Sequence, residues 1–377
     1  MKTKKKKRKV LIAGHICLDL TPAFRHPPVE RLTQILAPGK LIHVGQPDIH
    51  LGGAVANTGL AMDFFGINVR LAAKIGQDSF GQLVQRDLDS HSCEAILTFD
   101  ESAGTSYSIV LAVPGVDRVF LHDPGANDTF CAADITDDML NDIDHLHFGY
   151  PPLMRRMYED DGKELTAIFR KAKAKGITTS LDMAAVDPNS PAGNADWKTI
   201  LSKVLPLVDF FAPSAEEIGF MLNPKRYSQW CNQAEGRDIT EILSIQEDIA
   251  PLADELIRLG ASVALIKCGA SGLYYQTAGQ ALIYPLCELH NLTPSEWIEL
   301  HGFERSYSPE RIVSATGAGD TCIAAFLAAV MRGFSLKKCI RLAAAAGASC
   351  ITAYDALSGL LPFDVMQQKI QAGWPKV

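Results

Sequence analysis

The residues best suited to chemistry lie near the end of the chain, in Ser314-Ala-Thr-Gly-Ala-Gly-Asp-Thr-Cys-Ile-Ala-Ala-Phe326. This segment follows the apolar pair Ile312-Val313 and precedes small and apolar residues, which predicts a transition from a strand to a helix. The free N–H groups and the dipole at a helix start favour an anion, and glycine lets a ligand approach the backbone closely. Two roles are open to Asp320. It complements the dipole, or it accepts a proton from a hydroxyl group while the N–H groups hold a phosphoryl group.

Two further segments place polar side chains close to glycine. In Gly52-Gly-Ala-Val-Ala-Asn57 the glycine pair enters a predicted helix, and the Asn57 amide can both donate to and accept from a sugar hydroxyl. Asp19 follows Gly14-His-Ile-Cys-Leu at the predicted end of the first strand, where a carboxylate can hold paired hydroxyls. Each segment alone also fits a structural role, namely a tight turn with close helix packing for the first and a turn residue for Asp19.

The pattern of apolar segments predicts an α/β fold that would bring these residues together. Strands and helices alternate from about residue 130 onward, which indicates βαβ units in a mostly parallel, doubly wound sheet with helices on both faces. Such sheets bind ligands beyond the carboxyl ends of their strands. Residues 15–50 and 104–123 do not follow this alternation and predict a separate small β-sheet, with a hairpin turn at Pro114–Asp117.

Other segments predict local structure less directly. Leu273–Gln276 and Ala281–Tyr284 predict a second hairpin, and residues 223–246 and 288–309 predict two long irregular segments. His145 and His147 lie on the same side of a predicted strand and could bind a metal ion, but no third ligand is apparent. We therefore predict that these histidines are polar residues of the core or of a sheet edge.

The composition narrows the class of protein. The 377-residue chain is 47% hydrophobic and 21% charged, which indicates a large core, and its net charge of −7 gives no general attraction to nucleic acid or membranes. No apolar run approaches the ~20 residues that a membrane span needs.

The nine scattered cysteines predict a reduced, cytoplasmic protein. The lysine-rich residues 1–9 predict a solvated tail, although a nuclear targeting signal also fits such a run.

Together these segments resemble the signatures of the PfkB (ribokinase-like) family of carbohydrate kinases. Gly52–Gly66 resembles the first signature, Ser314–Phe326 resembles the second, and Lys267-Cys-Gly-Ala-Ser-Gly272 resembles the turn on the nucleotide side. The resemblance covers nearly the whole chain. It implies one ribokinase-like domain over residues 10–377, with a β-sheet lid formed from about 15–50 and 104–123, and a homodimer formed through that lid.

The resemblance also implies a role for each candidate residue. Asp320 is the catalytic base, and Gly317, Ala318 and Gly319 form an anion hole through their backbone N–H groups. The other implied roles are acceptor binding for Asp19, Gly52, Gly53 and Asn57, nucleotide binding for Lys267, Gly269, Gly272 and Ser214, and water-mediated contact with Mg²⁺ for Glu217.

Four positions depart from the family pattern. Ser214 stands where the family has the asparagine of its Asn-x-x-Glu motif, and Ser314 stands where potassium-dependent members have an aspartate ligand. Val55 replaces a lysine of ribokinases, and Tyr150 falls near a glutamate that faces the sugar, so ribose itself is not the expected acceptor.

The expected function is an ATP-dependent phosphotransferase that acts on a hydroxymethyl group of a sugar or sugar-like substrate, with Mg²⁺ as cofactor. Two alternatives remain open. One is a nucleoside (adenosine-like) kinase on the same scaffold, and the other is a ligand-binding relative with weak catalysis. Retention of Asp320 with both glycines speaks against the second alternative.

Overall fold

The computed structural model of the protein describes residues 8–116 and 118–377, and these residues form two β-sheets. In spatial order, the nine strands of the larger sheet are β13 (His301–Arg305), β12 (Gly272–Thr277), β11 (Val263–Cys268), β10 (Phe210–Phe211), β9 (Thr178–Asp182), β8 (His145–Gly149), β1 (Lys9–Gly14), β4 (Asn68–Gly76) and β5 (Glu94–Asp100). The four strands of the smaller sheet are β3 (Asp48–Gly52), β2 (Cys17–Thr21), β6 (Tyr107–Leu111) and β7 (Val119–Asp123).

The strand order of the larger sheet reverses between β1 and β8. The seven adjacent strands β11, β10, β9, β8, β1, β4 and β5 all run parallel to one another. β12 is antiparallel to β11, and β13 is antiparallel to β12. From β1 the chain builds outward through β4 and β5 on one side and through β8 to β11 on the other. The carboxyl ends of β1 and β8 therefore border the crevice in which doubly wound folds bind their ligands.

Helices cover both faces of the larger sheet, and the residues of β1 alternate between the two cores. Val10 and Ile12 pack into one core, while Leu11 and Ala13 pack into the other, and all four are fully buried. This pattern is typical of a parallel strand that is covered on both sides. The helices are α1 (Ala54–Phe64), α2 (Ser79–Leu88), α3 (Arg155–Tyr158), α4 (Lys163–Ala174), α5 (Trp197–Val204), α6 (Ala215–Leu222), α7 (Pro224–Ala234), α8 (Ala250–Arg258), α9 (Gln280–His290), α10 (Ala318–Met331), α11 (Leu336–Cys350) and α12 (Phe363–Gln371).

The register of the small sheet gives it one polar and one apolar face. Asp19 is paired with His50 and Ser108, and Ser108 is paired with His122, so a polar row crosses all four strands. One residue along, Leu20 is paired with Ile49 and Ile109, and Ile109 is paired with Leu121. Because successive strand residues point to opposite faces, this second row lies on the face opposite the polar one. The hairpin predicted around Pro114–Asp117 is confirmed by the antiparallel pairing of β6 and β7.

The hairpin predicted from Leu273–Gln276 and Ala281–Tyr284 is wrong. The antiparallel partner of β12 is β13, which lies inside the segment 288–309 that was predicted to be irregular. Residues 280–290 form α9 instead, with Pro285 in its interior. The helix forms because Ile283, Leu286, Cys287 and His290 are all buried at a spacing that only a helix brings to one face.

Two further predictions about the elements are corrected. The segment 223–246 contains α7, so most of its first half is helical. Residues 306–317 form no strand before α10, so the glycine-rich turn follows a loop rather than a strand. The apolar pair Ile312-Val313 suggested a strand, but the Ile312 side chain is 74% exposed and has no sheet to pack against.

The first residues of the predicted basic tail, 1–7, lie outside the described residues, as does Asp117. Lys9 belongs to β1, where its Nζ pairs with Glu94 at 2.7 Å, and Arg8 donates to the Leu289 carbonyl at 2.6 Å. Among the described helices, none combines the length and apolarity needed to cross a membrane.

Candidate functional site

His15 and Tyr150 are the first side chains beyond the carboxyl ends of β1 and β8. The His15 N–H donates to the carbonyl of Gly149 at 3.2 Å, and the His15 and Tyr150 rings lie 6.0 Å apart. A Cβ on Gly14 would lie 2.4 Å from the same carbonyl oxygen, so the two strand ends approach too closely for a side chain at this position. The crevice at the reversal of strand order is therefore lined by an imidazole and a phenol.

Asp320 lies in the first turn of α10 and is only 2% exposed, yet its carboxylate is well supplied with donors. The Asn57 amide donates to Oδ2 at 3.0 Å, and the Thr58 hydroxyl donates to Oδ1 at 3.2 Å. The Tyr150 hydroxyl lies 2.9 Å from Oδ1 and 2.8 Å from Oδ2. Helix α1 and the end of β8 thus hold the carboxylate that α10 presents.

The turn before Asp320 requires glycine at its cap. Gly317 caps α10 with φ at 73°, and a Cβ there would lie 2.4 Å from the Cβ of Ala356. The residues predicted to form an anion hole, Gly317, Ala318 and Gly319, lie at the start of α10, where the Ala318 N–H donates to the Ala315 carbonyl at 3.3 Å. The start of a helix is a position that favours an anion. Asn57 lies within 3.8 Å of the same position, so the predicted acceptor side and phosphate side meet here.

Burial raises the pKa of Asp320 above its ordinary value, while the hydrogen bonds from Tyr150 and Asn57 and the charge of Lys267 oppose the shift. Burial and the Asp320 charge both raise the pKa of Tyr150, so the phenol is a neutral donor. A carboxylate with a raised pKa is a better proton acceptor for a hydroxyl group than an ordinary one. The arrangement can therefore perform general base chemistry.

Lys267 and Asp182 form a buried ion pair on the other side of the α10 start. Lys267 Nζ lies 2.6 Å from Asp182 Oδ1, and a Cβ on Gly319 would lie 3.5 Å from the same Nζ. Burial raises the pKa of Asp182 and Lys267 opposes that shift. Burial also disfavours the Lys267 ammonium, but Asp182 and Glu217 outweigh it and raise its pKa. The pair therefore places a fixed positive charge next to the predicted anion hole.

Sequence reasoning missed Asp182, although a signal was present. It is the last residue of a predicted strand, Thr178–Asp182, and the carboxyl ends of neighbouring parallel strands share one edge of the sheet.

Ser214 and Glu217 form a capping box at the start of α6. The Ser214 N–H donates to Glu217 at 2.7 Å, and the Glu217 N–H donates to the Ser214 hydroxyl at 3.1 Å. Ser214 and Lys267 also form an isolated parallel β-bridge through the backbone, in which the Lys267 N–H donates to the Pro213 carbonyl at 2.9 Å. The structure therefore brings the predicted nucleotide residues Ser214 and Lys267 next to Glu217.

The donor set at this position suits Mg²⁺ held through water. The carboxylates of Glu217 and Asp182 both raise the pKa of Lys267 by electrostatic attraction. Within residues 8–116 and 118–377, no group of three or more histidine, cysteine, aspartate or glutamate side chains could enclose a metal ion. Mg²⁺ in nucleotide sites typically uses one or two carboxylates, water and phosphate oxygens, and this is the mode of binding that these residues fit.

Gly269 and Gly272 begin and end the turn between β11 and β12, farther along the same sheet edge. A Cβ on Gly269 would lie 2.4 Å from the Thr240 hydroxyl, so a neighbouring loop packs directly on this turn.

Asp19 lies in the middle of β2 rather than at the end of β1, where it had been predicted. The prediction of Asp19 at the end of the first strand is wrong because β1 ends at Gly14 and a second strand begins at Cys17. Its carboxylate packs on the predicted glycine pair, because a Cβ on Gly52 would lie 2.3 Å from Asp19 Oδ2. The Cys17 thiol donates to Asp19 Oδ1 at 3.4 Å.

A row of polar side chains connects the surroundings of Asp19 with Tyr150. The Cys17 sulfur lies 3.9 Å from the Ser108 hydroxyl, which lies 3.1 Å from His122 Nδ1. His122 Nε2 in turn lies 3.3 Å from His15 Nε2. Burial lowers the pKa of both histidines, so their rings are neutral and can donate and accept. Sequence reasoning missed His15 and His122, because the contact joins the loop after β1 of the larger sheet to β7 of the smaller sheet.

A cavity of 790 Å³ lies between the polar face of the small sheet and residues 312–316. Its walls include Asp19, His50, Val110, Thr316 and Tyr354. At its edge the Arg118 guanidinium donates to Ser314 Oγ at 3.1 Å and to Thr316 Oγ1. The small sheet thus contacts the turn that leads into α10.

His145 and His147 are buried polar residues of the core, as predicted. His145 lies 2.9 Å from the Thr178 hydroxyl and 2.7 Å from Ser180, and His147 lies 2.8 Å from Ser180. Both rings lie in the central strand β8 and are fully buried.

Comparison with known proteins agrees with the fold. The model of the pfkB family of carbohydrate kinases matches residues 9–362. An uncharacterized sugar kinase of Archaeoglobus fulgidus is 22% identical over 305 residues, which cover 80% of this chain and 98% of the relative. Among solved structures, Arabidopsis thaliana ribokinase complexed with ribose and ATP superimposes with a TM-score of 0.69 at 17% identity, covering 96% of this chain and 98% of that one. Methanocaldococcus jannaschii nucleoside kinase gives 0.65 at 16% identity, with 97% and 98% covered.

Proposed function

The chain belongs to the pfkB family of carbohydrate kinases, and on that premise we propose that it transfers the γ-phosphoryl group of ATP to a hydroxymethyl group of a sugar or sugar-like acceptor. The observation that carries the proposal is the buried Asp320 carboxylate at the start of α10. It accepts hydrogen bonds from the Asn57 amide, the Thr58 hydroxyl and the Tyr150 phenol, and it lies near the fixed charge of Lys267.

Asp320 takes the proton from the acceptor hydroxyl while the oxygen of that hydroxyl forms a bond to the γ-phosphorus of ATP. The bond between that phosphorus and the bridging oxygen of ADP breaks, and ADP leaves with the electron pair. The N–H groups of Gly317, Ala318 and Gly319 donate to the oxygens of the phosphoryl group during its transfer. Because this transition state is loose, most of the catalysis comes from positioning and charge stabilisation.

The acceptor lies against Asp19, the glycine pair Gly52-Gly53 and Asn57. Asp19 is 6% exposed and lies on the polar face of the small sheet, where a carboxylate can accept from two neighbouring hydroxyls. We propose that the small sheet acts as a lid, because this face borders the 790 Å³ cavity opposite residues 312–316.

ATP is the co-substrate and lies on the side of Lys267, Ser214 and the turn between Gly269 and Gly272. The Lys267 ammonium, held by Asp182, faces the phosphates beside Gly319. Glu217 would hold Mg²⁺ through water, and the ion would neutralise charge that develops on the phosphates.

The nucleoside kinase alternative is supported by the size and lining of the cavity. Val110, Val113, Pro114 and Tyr354 give it apolar walls beyond Asp19, where a base attached to the sugar could pack. The second alternative, a ligand-binding relative with weak catalysis, would keep the pocket and lose the transfer step. The cytoplasmic location predicted from the cysteines stays a prediction.

We also propose that the protein forms a homodimer through the apolar face of the small sheet. Ile49 and Leu121, at the two ends of the row that includes Leu20 and Ile109, are 46% and 51% exposed. Both belong to edge strands, and exposed apolar side chains on edge strands are typical of sites that pair with another chain.

A substrate panel tests the proposed function. With Mg·ATP and a set of sugars, sugar acids and nucleosides, we expect the purified protein to phosphorylate at least one member. Asp320→Asn should lower kcat by about 100-fold or more and leave ATP affinity within a few-fold, because the amide cannot accept the proton. The matched control is Asp364→Asn, which changes an aspartate in the first turn of α12, outside the site.

Three outcomes separate the candidates. Preference for free sugars supports the proposal, and preference for nucleosides supports its alternative. Stabilisation by a panel member against heat without any transfer would identify a binding protein. Turnover of Asp320→Asn close to that of the wild type would remove Asp320 from the role of base.

A further inference from the structure

The Tyr150 hydroxyl fills the place that an acceptor hydroxyl needs. A general base must lie within about 2.6–3.2 Å of the group from which it takes a proton. The phenol oxygen lies 2.9 and 2.8 Å from Asp320 Oδ1 and Oδ2. Thr58 also donates to Oδ1, and Asn57 also donates to Oδ2. Since Asp320 is 2% exposed, an acceptor must displace one of these donors to reach the carboxylate. Asn57 and Thr58 are buried residues of α1, and the phenol is the donor that contacts both oxygens.

The backbone of Tyr150 holds the phenol in this place. Its φ and ψ are 67° and 42°, the left-handed conformation that a bulky residue seldom adopts. Its N–H donates to the Asp182 carbonyl at 3.2 Å, and the buried prolines 151 and 152 follow directly. Rotation about the side-chain torsions is therefore the motion left to the phenol.

We propose that Tyr150 is a positioning residue that occupies the acceptor-hydroxyl position on Asp320 and yields it only to a polyhydroxy acceptor. This inference rests on the proposed function. Exchanging the phenol for another hydroxyl replaces one hydrogen bond with another of the same kind, so the exchange alone gains little. A sugar brings further hydroxyls to Asp19 and the polar face of the small sheet, whereas water brings none.

The same exchange would limit hydrolysis of ATP at this site. Water that reached Asp320 could lose its proton to the carboxylate and attack the γ-phosphorus, releasing ADP and phosphate. With the phenol in place the carboxylate is satisfied, and water lacks the additional contacts that would favour its entry. Tyr150 therefore discriminates between water and acceptor through Asp320.

A pH profile reports on this contact, because the other charged groups around Asp320 remain in place when Tyr150 is changed. The Tyr150 hydrogen bond opposes the raised pKa of Asp320, so its loss raises that pKa further. Activity needs the carboxylate, and the acid limb of kcat/KM should then move to higher pH. The other titratable groups that interact electrostatically with Asp320 are Lys267 on β11, Asp182 on β9, Cys17 on β2 and Cys350 on α11.

Tyr150→Phe tests the inference, first with Mg·ATP alone and then with the panel member that the wild type phosphorylates fastest. We expect ATP hydrolysis without acceptor to rise by 10-fold or more. The acceptor KM should fall several-fold, and the acid limb should shift as described. Tyr307→Phe is the matched control, because the Tyr307 phenol lies 3.5 Å from the Glu304 carboxylate, outside the site, and should change none of these quantities.

Tyr150→Gly provides a second variant that should fold, because glycine adopts the left-handed backbone without strain. It opens the same position and should raise hydrolysis at least as much. The inference is overturned if hydrolysis stays at the wild-type rate in both variants while the wild type transfers phosphate normally. It is also overturned if Tyr150→Phe loses turnover by 100-fold or more with an unchanged acceptor KM, since the phenol would then take part in the reaction. A wild type that phosphorylates no panel member would instead refute the kinase proposal itself.

Discussion

Asp320 and Asp182 are two buried carboxylates whose neighbours separate their roles. Asp320 receives hydrogen bonds from neutral groups, namely an amide, a hydroxyl and a phenol. Asp182 instead faces the Lys267 ammonium at 2.6 Å. A carboxylate surrounded by neutral donors can accept a proton and release it, whereas one paired with a buried cation serves to orient that cation.

Asp19 provides a test of the acceptor side at the same scale. Asp19→Ala should lower kcat/KM for the acceptor by about 10- to 100-fold, because bonds from hydroxyls to a charged acceptor are worth ~1.5–3 kcal/mol. The KM for ATP should hardly change, since the phosphate groups are proposed to lie on the side of Lys267. The control is Asp123→Ala, an exposed residue of β7 in the same sheet. A lowered melting temperature with unchanged acceptor kinetics would show that Asp19 only shapes the sheet.

The sequence predicted some of these contacts and could not predict others. It placed Asn57 and Asp320 in one site, and their side chains lie 3.0 Å apart. It identified Tyr150 only as a departure from a family pattern. Its hydroxyl reaches Asp320 across 170 residues of chain, and residue spacing contains no information about which side chains two distant elements will bring together.

At the scale of elements, local spacing predicted helices and strands where one face is clearly apolar. It failed at α9, where the run Ala281–Tyr284 was predicted to be a strand and Pro285 follows directly. The buried positions of α9 extend on both sides of Pro285, so a window that stops at the proline cannot detect them. Tertiary packing overrides the local preference of a proline in such a case.

Asp78 offers a test of how an element is held in place. It caps α2 by accepting from Gly81 at 2.7 Å, and it also accepts from the N–H and the hydroxyl of Thr105, both at 2.7 Å. Asp78→Ala should lower the free energy of unfolding by about 2–4 kcal/mol, because it removes a cap and the acceptor of the buried Thr105 N–H. Thermal and denaturant unfolding would measure this, with Asp196→Ala, an ordinary cap of α5, expected to cost about 1 kcal/mol.

The pH dependence of that loss gives a second readout. Burial raises the pKa of Asp78, but the hydrogen bonds from Thr105 and Gly81 outweigh it and lower the pKa overall. The stability that ionised Asp78 contributes is therefore present above the ordinary aspartate pKa of about 3.9 and is lost as pH falls through the lower folded value. The difference between wild type and variant should shrink in that acidic range, and a constant difference would contradict the assignment.

At the scale of the whole molecule, the site follows from topology. The reversal of strand order between β1 and β8 opens the crevice, and the first side chains beyond both strands, His15 and Tyr150, belong to the site. The alternation of strands and helices was enough to predict a doubly wound sheet with ligands at its carboxyl edge. It could not give the strand order, which depends on long-range pairing.

The proposed dimer is tested at this scale too. Leu121→Arg places a charge at the end of the exposed apolar row and should shift the protein from dimer to monomer, as measured by light scattering during size-exclusion chromatography. Leu282→Arg changes an apolar residue of α9 that is 41% exposed and should leave the mass unchanged. A wild type that elutes as a monomer at micromolar concentration would refute the proposal.

The contact between Arg118 and the residues Ser314 and Thr316 has a thermodynamic consequence. It joins the hairpin of the small sheet to the turn in which the phosphate would bind. A nucleotide that reorders this turn must therefore change the free energy of moving the hairpin, and an acceptor that fixes the hairpin must change the affinity for nucleotide. Linkage requires the two effects to be equal in size. On the proposed function, ATP and acceptor should bind cooperatively, each shifting the dissociation constant of the other by the same factor.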